Sequence, residues 1–170
     1  MKKALLLVLF LGVVSAISGL CVGYVNSITE PIIAEKLIAA EKENLEKMFP
    51  GAQFAALEMT DEKGYVQGVY EVVGEGYAVK LQTTGYNSST PIIVLVGFDN
   101  SGVITGVLAL QQQETDGFGT KVFKEENISS LYVGKSLDEM PDLLSGATVT
   151  STAMQNAISS AQNMLKEVVK

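Results

Sequence analysis

The residues best suited to chemistry lie near the C-terminus, in Asp142-Leu143-Leu144-Ser145-Gly146-Ala147-Thr148, with Val149-Thr150-Ser151 and a helical pattern directly behind them. This arrangement presents hydroxyls on a turn of small residues just ahead of a helix start. Gly146 and Ala147 allow a bulky group close to the backbone, and a helix N-terminus offers unpaired N–H groups with a partial positive charge. The chemistry this suits is the holding of a phosphorylated ligand. A plainer reading makes Ser145-Gly146 a turn and Thr150 or Ser151 an ordinary cap, and capping and ligand roles are compatible.

Other chemistries find little support. The chain has no histidine and one cysteine, Cys21, so an internal disulfide and the clustered ligands of a zinc or iron–sulfur centre are both missing. No Ser/His or Cys/His pair is present for nucleophilic or acid–base catalysis, which leaves a bound cofactor to carry any reaction. Leaving out Lys2 and Lys3, ten lysines face nineteen acidic residues, a balance of −9, so nucleic acid is an improbable partner. There is no arginine to clamp a phosphate in bidentate fashion.

The elements that must position the site begin with an uncharged run, Ala4–Val25. As a helix at ~1.5 Å per residue it reaches ~33 Å, enough for a bilayer core. Lys2 and Lys3 before it place residues 1–3 in the cytoplasm and everything from about Asn26 outside. Cleavage after Val14-Ser15-Ala16 is the competing reading, but the run is longer than the usual ~7–15-residue signal core. Asn26–Thr29 reads as a polar break, with Thr29 as cap and Pro31 in the first turn of a membrane-proximal helix over residues 26–49, ended by Pro50-Gly51. Its packing stripe would be Ile33, Leu37, Leu45 and Met48.

Residues 50–170 then form one domain. Strands are expected at Tyr65–Val73, Tyr77–Thr83, Ile92–Phe98 and Val103–Leu110, the last two joined by the hairpin signal Asp99-Asn100-Ser101-Gly102. Both of those are nearly continuously apolar and should be covered on both faces. Gln111–Thr120 reads as an ordered loop, and a helix from about Thr150 to Val168 should pack Met154, Ala157, Ile158, Ala161, Leu165 and Val168 on the sheet. The fold class is α+β, an N-terminal transmembrane helix followed by an extracytoplasmic antiparallel sheet packed by helices.

The Asp142–Thr148 heptad resembles Asp-x-x-(Ser/Thr)-Gly-Ala-Thr, the acceptor motif of bacterial flavin transferases, in which FMN is joined through its phosphate to the final threonine, here Thr148. Glu114-Thr115-Asp116-Gly117-Phe118-Gly119-Thr120-Lys121 resembles the Glu-Thr-Pro-Gly-Leu-Gly segment of the G subunits of Rnf complexes and the related C subunits of sodium-pumping NADH:quinone reductases. Asp116 stands for the proline, Phe118 for the leucine, and Gln112 near a frequent histidine. With the span, Gly85-Tyr86-Asn87 and Asn100-Ser101-Gly102, the resemblance covers nearly the whole chain in order.

What it implies is a membrane-anchored flavoprotein subunit, with covalent FMN on Thr148 relaying electrons in an assembly that couples ferredoxin/NAD electron transfer to ion transport. Ser145, Gly146, Ala147, Thr150 and Ser151 would surround the attachment point. Glu114, Thr115, Gly117, Gly119 and Lys121 would form a second wall, with backbone N–H groups from the glycines and a cation from Lys121 that favours a reduced, anionic flavin. Lys80 is a second cation, read as a sheet-surface residue. Partners would be the other Rnf membrane subunits and a separate flavin transferase, with no residue of the chain catalytic beyond the flavin and no metal. The alternatives are a free-standing tethered FMN carrier of another extracytoplasmic chain, or a tethered binding domain without cofactor.

Overall fold

The computed structural model describes residues 2–59 and 61–169, without the side chains of residues 2, 4–8, 26 and 28–39. The chain divides into two units at Glu43/Asn44.

The first unit is helical and belongs to α1 (Lys2–Met48). The polar break expected at Asn26–Thr29 does not interrupt it. Asn, Ser and Thr each cost only about 0.5 kcal/mol in a helix interior, and Pro31 removes one backbone bond, so good helix formers on both sides carry the helix through. Ser27 Oγ instead donates to the Tyr24 carbonyl within the helix, at 2.8 Å. The roles expected of Thr29, Pro31, Ile33 and Leu37 rest on side chains outside the described residues. Among the described residues no helix is long and apolar enough to cross a membrane, although Leu9, Phe10, Leu20, Val22 and Tyr24 are all exposed. Side chains 4–8 of the expected span lie outside that description.

The second unit is built on a five-stranded antiparallel meander in the order β1 (Phe54–Leu57), β2 (Val66–Val72), β3 (Gly76–Thr83), β4 (Ile92–Asp99) and β5 (Ile104–Gln111). Four of these strands fall within two residues of the spans expected from alternation and turn residues. β1 was not anticipated: Phe-Ala-Ala-Leu is short and lacks β-branched residues, and it joins the sheet by pairing with Val69–Val72. The β4–β5 hairpin turns on Asp99, whose carboxylate accepts from the Ser101 N–H, the Ser101 hydroxyl and the Val103 N–H, with Gly102 at φ +81°.

Because successive side chains alternate across a sheet, the two faces are filled by different residues. Ile92, Val94, Val96 and Phe98 of β4 join Val79 and Leu81 of β3 under α3 (Thr148–Val168), against Met154, Ala157, Ile158, Ala161 and Leu165. Leu95 and Ala78 face the other way, toward Leu45 and Phe49 at the end of α1. β4 is thus covered on both faces, as expected. β5, an edge strand, is covered only in part: Ile104 and Val107 are buried on the α3 side and Leu108 and Leu110 pack half-buried on the other, while Thr105 and Gln111 are exposed. After β5 a 3₁₀ turn (Gly119–Phe123) and α2 (Glu125–Leu131), a helix too short for its periodicity to register in sequence, bring Val122, Leu131 and Tyr132 into the α3 side of the core.

Two features give measurable predictions. A Cβ at Gly97 would stand 2.8 Å from Met48 Sδ and 2.9 Å from both Phe49 Cζ and Thr105 Oγ1. Gly97→Val should therefore destabilise the unit by about 1–3 kcal/mol in urea unfolding, because the Phe49 ring must be displaced from the sheet. The Asp61 carboxylate ties the strand start to α3, accepting from the Val66 N–H at 2.8 Å, the Tyr65 N–H at 3.1 Å and Ser160 Oγ at 2.8 Å. Partial burial raises its pKa, but those donors outweigh burial and hold the carboxyl below its ordinary 3.8. A depressed folded pKa stabilises above the unfolded value and is lost as pH falls through the folded one. Asp61→Asn should lower stability at pH 7, and in melts at successively lower pH the gap from wild type should begin to narrow below about pH 4 and close once the folded carboxyl is protonated.

Candidate functional site

Three segments far apart in sequence meet at the end of the sheet: the turn after β3, the loop after β5, and the turn before α3. Glu114 is where they join. The residue is 7% exposed, and its carboxylate accepts from the Thr150 hydroxyl at 2.7 Å, the Tyr86 N–H at 3.2 Å and the Asn87 N–H at 3.2 Å. A carboxylate taken out of water needs such donors. The contact also demands glycine on both sides. A Cβ at Gly85 would lie 2.6 Å from Glu114 Oε1, and one at Gly119 would lie 2.1 Å from Oε2 and 2.7 Å from Thr150 Oγ1. Gly119 therefore makes room for a hydrogen bond.

The loop that carries Glu114 is closed on itself. The Phe118 and Thr120 N–H groups donate to the Thr115 carbonyl, while the Gly117 N–H, at φ +74°, donates to Asp116 Oδ1 at 2.9 Å and Thr120 Oγ1 at 3.1 Å. Asp116, which replaces a ring-stiffened proline in the resemblance, stiffens the turn by hydrogen bonding. The Gly117 N–H is used inside its own loop.

On the opposite side, α3 holds the preceding turn by its own polar side chains. Gln155 Nε2 donates to the Pro141 carbonyl at 2.6 Å, the Leu144 N–H donates to Ser151 Oγ at 3.2 Å, and Lys135 pairs with Asp142 at 2.9 Å. Gly146 sits at φ +79°, a conformation that favours glycine. The helix starts at Thr148, two residues earlier than its apolar spacing suggested, with Ala147 at the cap position and no side-chain cap. Thr150 and Ser151 do not cap it. They are buried, Thr150 on Glu114 and Ser151 on the Ala147 and Thr148 carbonyls. Thr148 is left exposed at the open helix start.

Between these walls lies a cavity of about 390 Å³ lined by Tyr86, Thr115, Phe118, Gly119 and Gly146–Thr150. Its size is that of a small-molecule site and its lining is largely apolar. Tyr86 and Phe118, 65% and 61% exposed, have no core to pack against. Of the expected residues, Thr115, Gly119, Gly146, Ala147, Thr148 and Thr150 line this cavity. Glu114 and Ser151 are buried behind it, Gly117 lies in the adjoining turn, Ser145 is exposed before Gly146, and Lys121 reaches back toward Gly146. Tyr86, Phe118 and Val149 escaped residue-level prediction. Their signal was available, at least for the aromatics: Gly85-Tyr86-Asn87 and Gly117-Phe118-Gly119 set large rings in polar, turn-forming surroundings. A second cleft, of about 500 Å³, is more polar, lined by Lys63, Gln82 and Asn156 among others, and shares only Val149 with the first. Among the described residues no group of three His, Cys, Asp or Glu is placed to hold a metal.

Glu114→Ala should leave the Thr150 hydroxyl and two backbone N–H groups unpartnered. The expected cost is about 1–3 kcal/mol in denaturant unfolding, with faster hydrogen exchange at Tyr86 and Asn87 than at sheet amides.

Comparison with known proteins bears on what such a cavity takes. Residues 85–163 match the FMN-binding domain family. The G subunit of an ion-translocating oxidoreductase complex from Shewanella piezotolerans (strain WP3 / JCM 13877) is 30% identical over 102 residues, with 50% of this chain and 47% of that protein covered. The chain thus spans about half the length of the curated relative it matches. The matched segment contains the Gly85–Asn87 turn, the Glu114–Lys121 loop and the Asp142–Thr148 heptad, the three segments that wall the cavity.

Proposed function

We propose that this chain is a flavoprotein subunit that carries FMN covalently, through its phosphate, on Thr148, and passes electrons within a membrane complex of the kind its relative belongs to. The observation that carries this reading is one juxtaposition: an exposed threonine hydroxyl at the uncapped start of a 21-residue helix, on the rim of a cavity walled by two exposed aromatic rings. Unpaired N–H groups at a helix start suit a phosphate, and apolar walls suit a flat, conjugated ring system. The two ends of FMN ask for those two environments.

The flavin, when bound, supplies the electron-transfer chemistry. The residues of this chain bind and orient it. Tyr86, Phe118 and Val149 offer apolar surface for the ring, Gly146 and Ala147 keep the approach to Thr148 open, and Glu114 keeps the walls in register through Thr150 and the Tyr86-Asn87 turn. Ser145, Ser151, Thr115, Gly117 and Gly119 shape the backbone around that path. Attachment is the task of a separate flavin transferase. The Ala4–Val25 segment anchors the chain in the membrane with residues 1–3 cytoplasmic, and the domain from residue 50 onward is extracytoplasmic. Neighbouring membrane subunits exchange electrons with it, and the complex as a whole couples that flow to ion translocation.

Peptide mass spectrometry on the full chain, made together with a flavin transferase, tests the central claim. A peptide containing Thr148 should gain FMN less one water, and Thr148→Ala should abolish all flavin that survives denaturation. The increment on Thr150 or Ser151, or on no residue, overturns the assignment.

A further inference from the structure

Resting on that reading but going further, we infer that Lys121 is the counter-ion of the ligand's phosphoryl group and leaves the redox ring to other residues. The Lys121 stem leaves the 3₁₀ turn next to Val122, which is fully buried, so its origin is fixed. The side chain is half-buried, and its ammonium lies 5.9 Å from the centroid of the Phe118 ring, within cation–π reach. From there Nζ points at the acceptor turn. A Cβ built on Gly146 would meet only Lys121 Nζ within 4.0 Å, two residues before Thr148.

The charges around it make that position informative. Glu114 is engaged by three donors, Asp142 is paired with Lys135, and Asp116 holds its own loop. Among the described residues Lys121 has no carboxylate partner. A half-buried ammonium with no anion of its own, beside a helix start with no side-chain cap, is matched by an external anion placed between the two. In a chain with a formal charge of −7 and no arginine, that cation offsets the surrounding negative field where a phosphate must sit.

The test separates the phosphate from the ring. Thr148→Ala full-length protein is titrated with free FMN and with riboflavin, which has the ring and lacks the phosphate, by quenching of flavin fluorescence. Adding Lys121→Met should weaken FMN binding about tenfold and leave riboflavin within about twofold, and Lys121→Arg should restore most of the FMN affinity. Equal loss for both ligands, loss for neither, or no measurable binding of either overturns the assignment. The flavin-loaded chain gives a second readout: Lys121→Met should leave the midpoint potential unchanged, whereas a large downward shift would place the ammonium at the ring and overturn the proposal. A wild-type chain without the mass increment, yet with Lys121-dependent binding of FMN alone, would refute covalent attachment while leaving the role of Lys121 standing.

Discussion

The buried carboxylate of Glu114 is the constraint from which the site follows. Burying a charge is costly unless it is met by donors, and the donors here come from 27, 28 and 36 residues away in sequence. Meeting that requirement brings the β3–β4 turn, the loop after β5 and the first turn of α3 together. The cavity is what remains between them. Gly85 and Gly119 belong to the same constraint, since any side chain at either position collides with the carboxylate.

The framework supplies rigidity on both sides of that junction. α3 lies on the sheet through an apolar stripe and holds the preceding turn through polar side chains. Ser151 and Gln155 reach Leu144 and Pro141, and Gln162, 2% exposed, donates to the Ser136 and Glu139 carbonyls at 2.7 and 2.9 Å. One helix therefore orders both the core and the segment leading into its own N-terminus. Thr148 is exposed while the neighbouring hydroxyls of Thr150 and Ser151 are committed elsewhere, and the helix start has no side-chain cap.

The electrostatic arrangement is sparing in cations. An acidic domain without arginine does not attract phosphate by its overall field; near Thr148 the structure places only the oriented backbone groups of a helix start and one lysine held near a ring. Such a site discriminates by position more than by charge.

The linear sequence was sufficient for whatever rests on local spacing. Alternation and turn residues located four strands, the Asp99–Gly102 hairpin was legible because Asp and Gly serve the turn they form, and the helical stripe from Met154 to Leu165 predicted its own burial. The heptad's small residues likewise marked the turn that the structure places beside the cavity. Features that depend on what packs against what were not legible: β1 exists because β2 offers it an edge, β5 is half-exposed because it closes the sheet, and the helix runs through Asn26–Thr29 because its flanks propagate it. Thr150 and Ser151 look like caps in sequence and are buried hydrogen-bonding groups in the fold. The reason is general. Periodicity and turn chemistry act within a few residues and are written in the chain, whereas a buried carboxylate chooses its donors from whatever the closed sheet brings within about 3 Å, and only the tertiary structure decides which those are.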